Sequence, residues 1–278
     1  PVLGLTAALH GNELNGIPVI HRLMQQLNLE KLAGTIVGAL VLNMPGLLRG
    51  ERYHPDGTDM NRIAPGKPDG NQSELYIYRL TDRLLPDLNY LIDLHTASFG
   101  RVNSYYVRAD MGDDVTSRMA RLQNPQIILN NPPNDRTLRG HAATRGIKSI
   151  TLELKDPFIF QYDVIEDSLI GLRNVLYDLQ MLEGSVVCPL KNTIVCDSSY
   201  WTFTDRGGIL TVFPELGEEV GRGQHVGQIS DIFGEGIAEC IAPDAGIIIG
   251  KSVSPVNPSG SRIIHLGLRP KEVPCVVS

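Results

Sequence analysis

The chain has 278 residues, 42% hydrophobic and 20% charged, the balance of an ordinary globular protein. Its formal net charge of −6 excludes the basic face that a nucleic-acid binder needs. No apolar run approaches the ~20 residues of a bilayer span, so neither nucleic acid nor membrane is expected as a partner.

From residue 1 to about 183, strand-like and helix-like runs alternate. PVLGLTAAL reads as a strand and GIPVIHRLMQQLN as a helix. GTIVGALVLN, NYLIDLH, SYYVRA, PQIILN and IKSITLEL are further short apolar or β-branched strands. Between them SELYIYRLTDRLLPDL, DDVTSRMARLQ and DVIEDSLIGLRNVLYDLQML carry apolar residues at helical spacing. The alternation predicts an α/β fold, a largely parallel sheet flanked by helices. After Gly184 the pattern changes, and twelve of the 28 glycines fall between 207 and 267. ILTVFP, HVGQISDI, GIAECIAP, GIIIGKSVS and RIIHLG read as short strands joined by glycine turns. The expected domains are therefore 1–184, α/β, and 185–278, all-β. Cys188, Cys196, Cys240 and Cys275 form no C-x-x-C pair and read as buried free thiols, in keeping with a cytoplasmic protein.

The chemistry starts where the first strand stops. LTAALHGNELNG, residues 5–16, ends its apolar run at His10, with Glu13 three residues further on. A catalytic zinc usually takes three protein ligands and keeps a fourth position for water. A tight turn brings residues i and i+3 onto one ion, and His95, at the end of NYLIDLH, is the best third ligand. Both histidines sit where a strand runs out, and binding sites in open α/β sheets form at the carboxyl ends of strands. The bland alternative is a pair of hydrogen-bonded structural histidines. His21 falls in a helix-like run, His225 and His265 in the tail, and His54 and His141 in loops within reach of the site.

A zinc hydrolase also needs a base. Strand alternation in IKSITLELKD puts Ile150, Leu152 and Leu154 on one face and Glu153 on the other. A carboxylate in a strand fit for burial is costly unless paired or functional. The alternative is a Glu153–Lys155 surface pair on an edge strand, with Asp93 as the next acid in line for the role. Residues 43–66 form a long polar loop carrying Asn43, Arg49, Arg52, Asp59, Asn61 and Arg62. Planar guanidinium groups grip carboxylates bidentately, so this loop is a candidate substrate-binding segment; Arg49 taken alone reads as a solvated arginine.

HGNE, RYHPDGTDMNR, DLHTA and TLEL, in this order and spacing, resemble the succinylglutamate desuccinylase/aspartoacylase family. The resemblance covers most of residues 1–183 and implies the zinc carboxypeptidase-like fold. It implies one zinc per chain on His10, Glu13 and His95, with Glu153 as general base. Arg62 would stabilise the oxyanion. Arg52 and Asn61 would bind substrate, joined by a further arginine, for which Arg145 is the nearest match and Arg139 a rival. The tail resembles the barrel-sandwich fold of biotinyl and lipoyl carrier domains, but its exposed hairpin reads SDIFGE, without the carrier lysine. A lid or a contact between copies in a homo-oligomer is the better reading. The implied activity is zinc-dependent hydrolysis of a small N-acyl amino acid or N-acyl amine. The rivals are a carboxypeptidase acting on peptide ends and a non-catalytic zinc or ligand-binding relative.

Overall fold

Long apolar strands can be buried on both faces only if helices cover a sheet, and that is how residues 1–178 fold. The computed structural model describes residues 1–133 and 136–276. In chain order the first part comprises β1 (Val2–Ala7), α1 (Gly16–Gln26), β2 (Thr35–Ala39), α2 (Met44–Arg49), α3 (Gln72–Leu84), β3 (Tyr90–His95), β4 (Arg101–Asn103) and β5 (Tyr105–Ala109). It continues through α4 (Asp114–Leu122), β6 (Ile127–Asn130), α5 (Leu138–Thr144), β7 (Lys148–Leu154) and α6 (Tyr162–Asp178). The tail adds β8 (Asn192–Cys196), β9 (Ser198–Phe203), β10 (Gly208–Val212), β11 (Glu219–Val220) and β12 (His225–Ser230). It ends with β13 (Gly236–Ile241), β14 (Gly246–Ser252), β15 (Val256–Asn257), β16 (Arg262–Leu268) and β17 (Lys271–Pro274).

The large sheet has the order β17-β8-β6-β5-β7-β3-β1-β2. β2, β1, β3 and β7 are parallel, so the carboxyl ends of β1, β3 and β7 share one edge. β5 runs antiparallel to β7, and β6 and β8 follow β5. The sheet is thus mixed and largely parallel, as the alternation predicts. Along each central strand, alternate residues divide between two layers. Leu5, Leu94, Leu152 and Val107 pack under α1, α4 and α6. Leu9, Leu91, Ile77, Leu138 and Ile147 form the layer beneath α3 and α5. Thr6, Asp93, His95, Thr151 and Glu153 share the second face by alternation, so this face becomes polar at the strand ends.

Two antiparallel sheets make up most of the tail, in the orders β13-β12-β10-β15 and β11-β14-β16-β9. They enclose their own core, including Val226, Ile229, Ile248, Ile264 and Leu266. Ile247 and Ile249 pack on Tyr106, Ile127 and Leu129 of the large sheet. β4 pairs with β14, with Val102 opposite Lys251, so the junction is a strand ladder as well as an apolar contact. β8 and β17 complete the large sheet.

Two expectations need correction, and one alternative falls. Cys188 and Cys275 are not free thiols but a disulfide, with a Cα–Cα separation of 6.3 Å. β8 pairs with β17 and brings together segments 87 residues apart, which cysteine spacing does not reveal. Cys196 and Cys240 are free and buried, as expected. The segment 43–66 is not all loop: Asn43 caps α2 through the Gly46 N–H, Gly50 ends it in the left-handed region at φ 62°, and Met60–Arg62 form a 3-10 turn. Nor is Glu153 on an edge strand paired with Lys155. β7 is central, and Lys155 pairs with Asp163. Among the described residues no helix is long and apolar enough to cross a membrane.

Candidate active site

The floor of the site is built by two turns that leave β1 and β3 at the same edge. After β1 the chain swings through Ala8, at φ 50°, and closes a turn in which His10 O accepts the Glu13 N–H at 3.1 Å. A Cβ at Gly11 would lie 2.1 Å from the Gly46 carbonyl carbon, so only glycine lets this turn seat against α2. Asn12 and Ser98 exchange hydrogen bonds of 2.9 and 3.0 Å and tie this turn to the one after β3. His10, Glu13 and His95, all buried, thereby meet with one ligand atom from each within 4.8 Å of the others.

Their orientation is specific. His10 Nδ1 lies 2.8 Å from Glu13 Oε1, His95 Nδ1 lies 2.8 Å from Glu13 Oε2, and the two Nδ1 atoms are 3.2 Å apart. Each far nitrogen faces a carboxylate: His95 Nε2 and Asp93 Oδ2 at 2.8 Å, His10 Nε2 and Asp59 Oδ1 at 3.1 Å. Asp93 is itself fixed by the Thr6 hydroxyl, which donates at 2.6 Å. An Nε2–H on each ring would donate to its outer carboxylate, which leaves Nδ1 of both rings turned to the centre as the atom that can ligate. Two imidazole nitrogens and a carboxylate aimed at one point call for a cation, and the donor set with its carboxylate backing fits zinc. Burial alone would depress the His95 pKa, but Asp93 and Glu13 outweigh it and hold the ring well above its ordinary value. Burial likewise opposes ionisation of Glu13, and His10 and His95 reverse that, leaving it well below the usual carboxylate range.

Glu153 stands beside this floor, in register with His95 across the β3–β7 ladder. On its other side β5 supplies Arg108, whose Nε donates to Glu153 Oε1 at 3.3 Å and whose Nη2 donates to the Tyr106 hydroxyl at 2.6 Å. Asn103 Nδ2 approaches Glu153 Oε2 at 3.4 Å. Asp93 does not line the cleft; it backs His95.

The arginines divide into two groups. Arg52 Nη1 donates to Glu13 Oε1 at 2.8 Å, and its Nη2 and Nε donate to Asp59 Oδ2 at 3.0 and 3.3 Å. At 14% exposure, its fork is committed to the floor. Burial pulls its pKa down, and Glu13 and Asp59 raise it above the ordinary value. Arg62, by contrast, is exposed on the 3-10 turn and donates Nη1 to the Asn61 carbonyl at 2.8 Å. The buried Asn61 Oδ1 accepts the Leu138 N–H at 2.8 Å and so fixes this turn to the start of α5. Arg145 is exposed at the carboxyl end of α5 and does not line the cleft, whereas Arg139, six residues earlier in the first turn, is buried and does. Arg49 is exposed in α2.

The His10–Glu13–His95 cluster, Glu153, Arg52, Asn61, Arg62 and Arg139 line a cleft of about 300 Å³, to which the tail contributes Ser199, Tyr200, Trp201, Arg262 and His265. Sequence reasoning missed Arg101, Arg108, Trp201 and Arg262. A usable signal existed for Arg108: like Glu153, it is a charge inside an apolar strand, SYYVRA.

The chain belongs to the succinylglutamate desuccinylase/aspartoacylase family, whose catalytic domain matches residues 1–178. That family is one of deacylases, which are hydrolases. The N-alpha-acetyl-L-2,4-diaminobutyric acid deacetylase of Halomonas elongata is 25% identical over 249 residues, covering 86% of this chain and 73% of that protein. A succinylglutamate desuccinylase from a Silicibacter species shares the fold at a TM-score of 0.86 and 22% identity, over 96% of this chain and 84% of the other. The product-bound ectoine utilization protein of Ruegeria pomeroyi gives a TM-score of 0.87 at 22% identity, over 96% and 85% of the two chains.

Proposed function

We propose that this chain is a zinc-dependent hydrolase that cleaves the amide bond of a small N-acyl amino acid or related N-acyl amine. One observation carries the reading: the His10–Glu13–His95 cluster lies in the same cleft as Glu153. Zinc, held by those three residues, would supply Lewis acidity to the carbonyl and bring the pKa of water towards about 7. Glu153, fixed by Arg108, takes the proton of the attacking water and returns it to the leaving amine. Arg62 lines the cleft with no carboxylate partner among the described residues, and stabilises the developing oxyanion. Asn61 and Arg139 hold the segments that orient the substrate; the sequence offered substrate binding to Arg52, Asn61 and Arg145, with Arg139 as the rival of Arg145.

The cleft volume supports a small substrate, since about 300 Å³ is the lower end of ordinary ligand sites. In this reading residues 185–278 act as a wall that limits substrate length, which disfavours a carboxypeptidase acting on long peptides. A cytoplasmic location is our proposal on the two free buried thiols; the Cys188–Cys275 bond is the observation against it.

The test is Glu153→Gln in the zinc-loaded protein, assayed on N-acetyl, N-succinyl and N-formyl amino acids. Zinc content and fold are retained, and kcat falls by roughly 10²–10⁴, the contribution of a positioned acid–base group. Near-normal turnover would remove Glu153 from the chemistry, and no turnover in the unmodified chain on the whole panel would remove the substrate class.

A further inference from the structure

The floor of the cleft balances its charges, and the rim does not. Arg52 answers Glu13 and Asp59, and Arg108 answers Glu153. Arg101 and Arg262 also line the cleft, yet among the described residues neither has a carboxylate or a hydrogen-bond acceptor. They come from opposite sides of the junction, Arg101 from β4 and Arg262 from β16, and converge on Trp201 of β9. Their Cζ atoms lie 5.7 and 5.4 Å from the indole centroid. Arg101 is half-buried, and its pKa is pushed down to about 10 by burial and by the neighbouring Arg262 and Arg52.

The platform beneath them is stacked and hydrogen-bonded. His265 stacks on Trp201 with ring centroids 5.0 Å apart and an interplanar angle of 11°. His265 Nε2 is 2.7 Å from the Ser199 hydroxyl, and the strand ladder places His265 directly opposite Trp201. The two guanidinium groups repel each other, and among the described residues no carboxylate pairs with either; Glu13, the carboxylate that acts on Arg101, is already held by Arg52. A bound carboxylate relieves the repulsion and matches the planar donor forks.

We propose that Arg101, Arg262 and Trp201 form a second anionic subsite, which receives a substrate carboxylate separate from the amide being cleaved. The proposal rests on the deacylase reading and names its substrate class further: an N-acyl compound with a carboxylate that reaches the rim. The same charges disfavour a substrate with an ammonium group at this end. Because Arg101 belongs to β4 and the other two residues to the tail, the subsite exists only where β4 and β14 are paired.

Trp201 is the chain's single tryptophan, so its emission reports on this place alone. The zinc-loaded protein is titrated with glutarate and, separately, with the neutral glutaramide, by fluorescence and by calorimetry. Saturable binding of glutarate, absent for glutaramide and weakened at least tenfold in the Arg101→Gln/Arg262→Gln double variant, is expected. No glutarate binding, or the same Kd in the double variant, overturns the subsite. Hydrolysis of N-acyl amino acids by the same preparation separates the two claims. Hydrolysis without glutarate binding removes the subsite and leaves the deacylase reading, and glutarate binding without hydrolysis does the reverse.

Discussion

Two charged regions of one cleft follow opposite rules. At the floor the ionisable side chains are paired: His95 with Asp93, His10 with Asp59, and Arg52 with Glu13 and Asp59. At the rim Arg62, Arg101 and Arg262 face the cleft without a carboxylate partner among the described residues. Burial explains the difference, because an unpaired charge in a dry floor costs several kcal/mol, whereas one at a wet rim costs little. The floor is therefore a prearranged holder that a metal completes, and the rim is the part left free for a ligand.

The largest effect should come from breaking the floor at the metal. His95→Ala is expected to fall from one zinc per chain to almost none by elemental analysis. Asp93→Asn, which keeps the ligand but loses its anchor, should weaken zinc binding about 10–100-fold. Wild-type zinc content in His95→Ala would falsify the ligand assignment.

Arg52 tests which region it serves. From the sequence it is a carboxylate anchor, and its removal should then spare a substrate's uncharged amide. From the structure it holds Glu13 and Asp59, so Arg52→Ala leaves a buried and a partly buried carboxylate short of a cation. A loss of about 3–5 kcal/mol in denaturant unfolding is expected, with Arg52→Lys recovering part of it. Hydrolysis of an N-acyl amino acid and of its amide should slow alike. Selective loss on the charged substrate would return Arg52 to the substrate side.

The floor should also be acid-sensitive. Burial opposes ionisation of Asp59, but His10 and Arg52 outweigh it and hold its pKa below the ordinary value. A lowered folded-state pKa means stability that is present above the unfolded value, near 4, and is lost as pH falls through the folded one. Thermal unfolding of the metal-free chain should thus decline more steeply below about pH 4 than that of Asp59→Asn. Parallel declines would show that Asp59 adds no such stability.

How legible each region was in the sequence follows from where its residues lie. HGNE packs two floor residues into four positions, and NYLIDLH carries Asp93 and His95 two apart, on one face of one strand. Strand periodicity likewise exposed Glu153 and most of the large sheet. The rim is assembled from Arg62 before α3, Arg101 after β3, and Trp201 and Arg262 on two strands of the tail. No local pattern joins these positions, because only the β4–β14 and β9–β16 ladders do. The disulfide was hidden for the same reason. The α2 and α5 helices were missed because six or seven residues scarcely show a helical period.

The smallest effect separates two arginines that sequence alone could not. Arg139 is 2% exposed; its Nη1 donates to the Asn131 carbonyl at 3.0 Å and its Nη2 to Asn131 Oδ1 at 3.1 Å. Hydrogen bonds from a charged donor contribute about 1.5–3 kcal/mol, so Arg139→Gln should destabilise on that order and lower kcat/KM through the cleft wall it forms. Arg145 caps the far end of the same helix in solvent. Arg145→Gln should change stability by less than about 0.5 kcal/mol and leave kcat/KM untouched. It should still leave one mark. Burial and then the Arg145 charge hold the His141 pKa below its ordinary value, so removing that charge should let the His141 pKa rise in an NMR titration. A raised His141 pKa with unchanged kinetics places Arg145 on the surface beside His141. A kinetic defect equal to that of Arg139→Gln would instead require the end of α5 to reach the cleft.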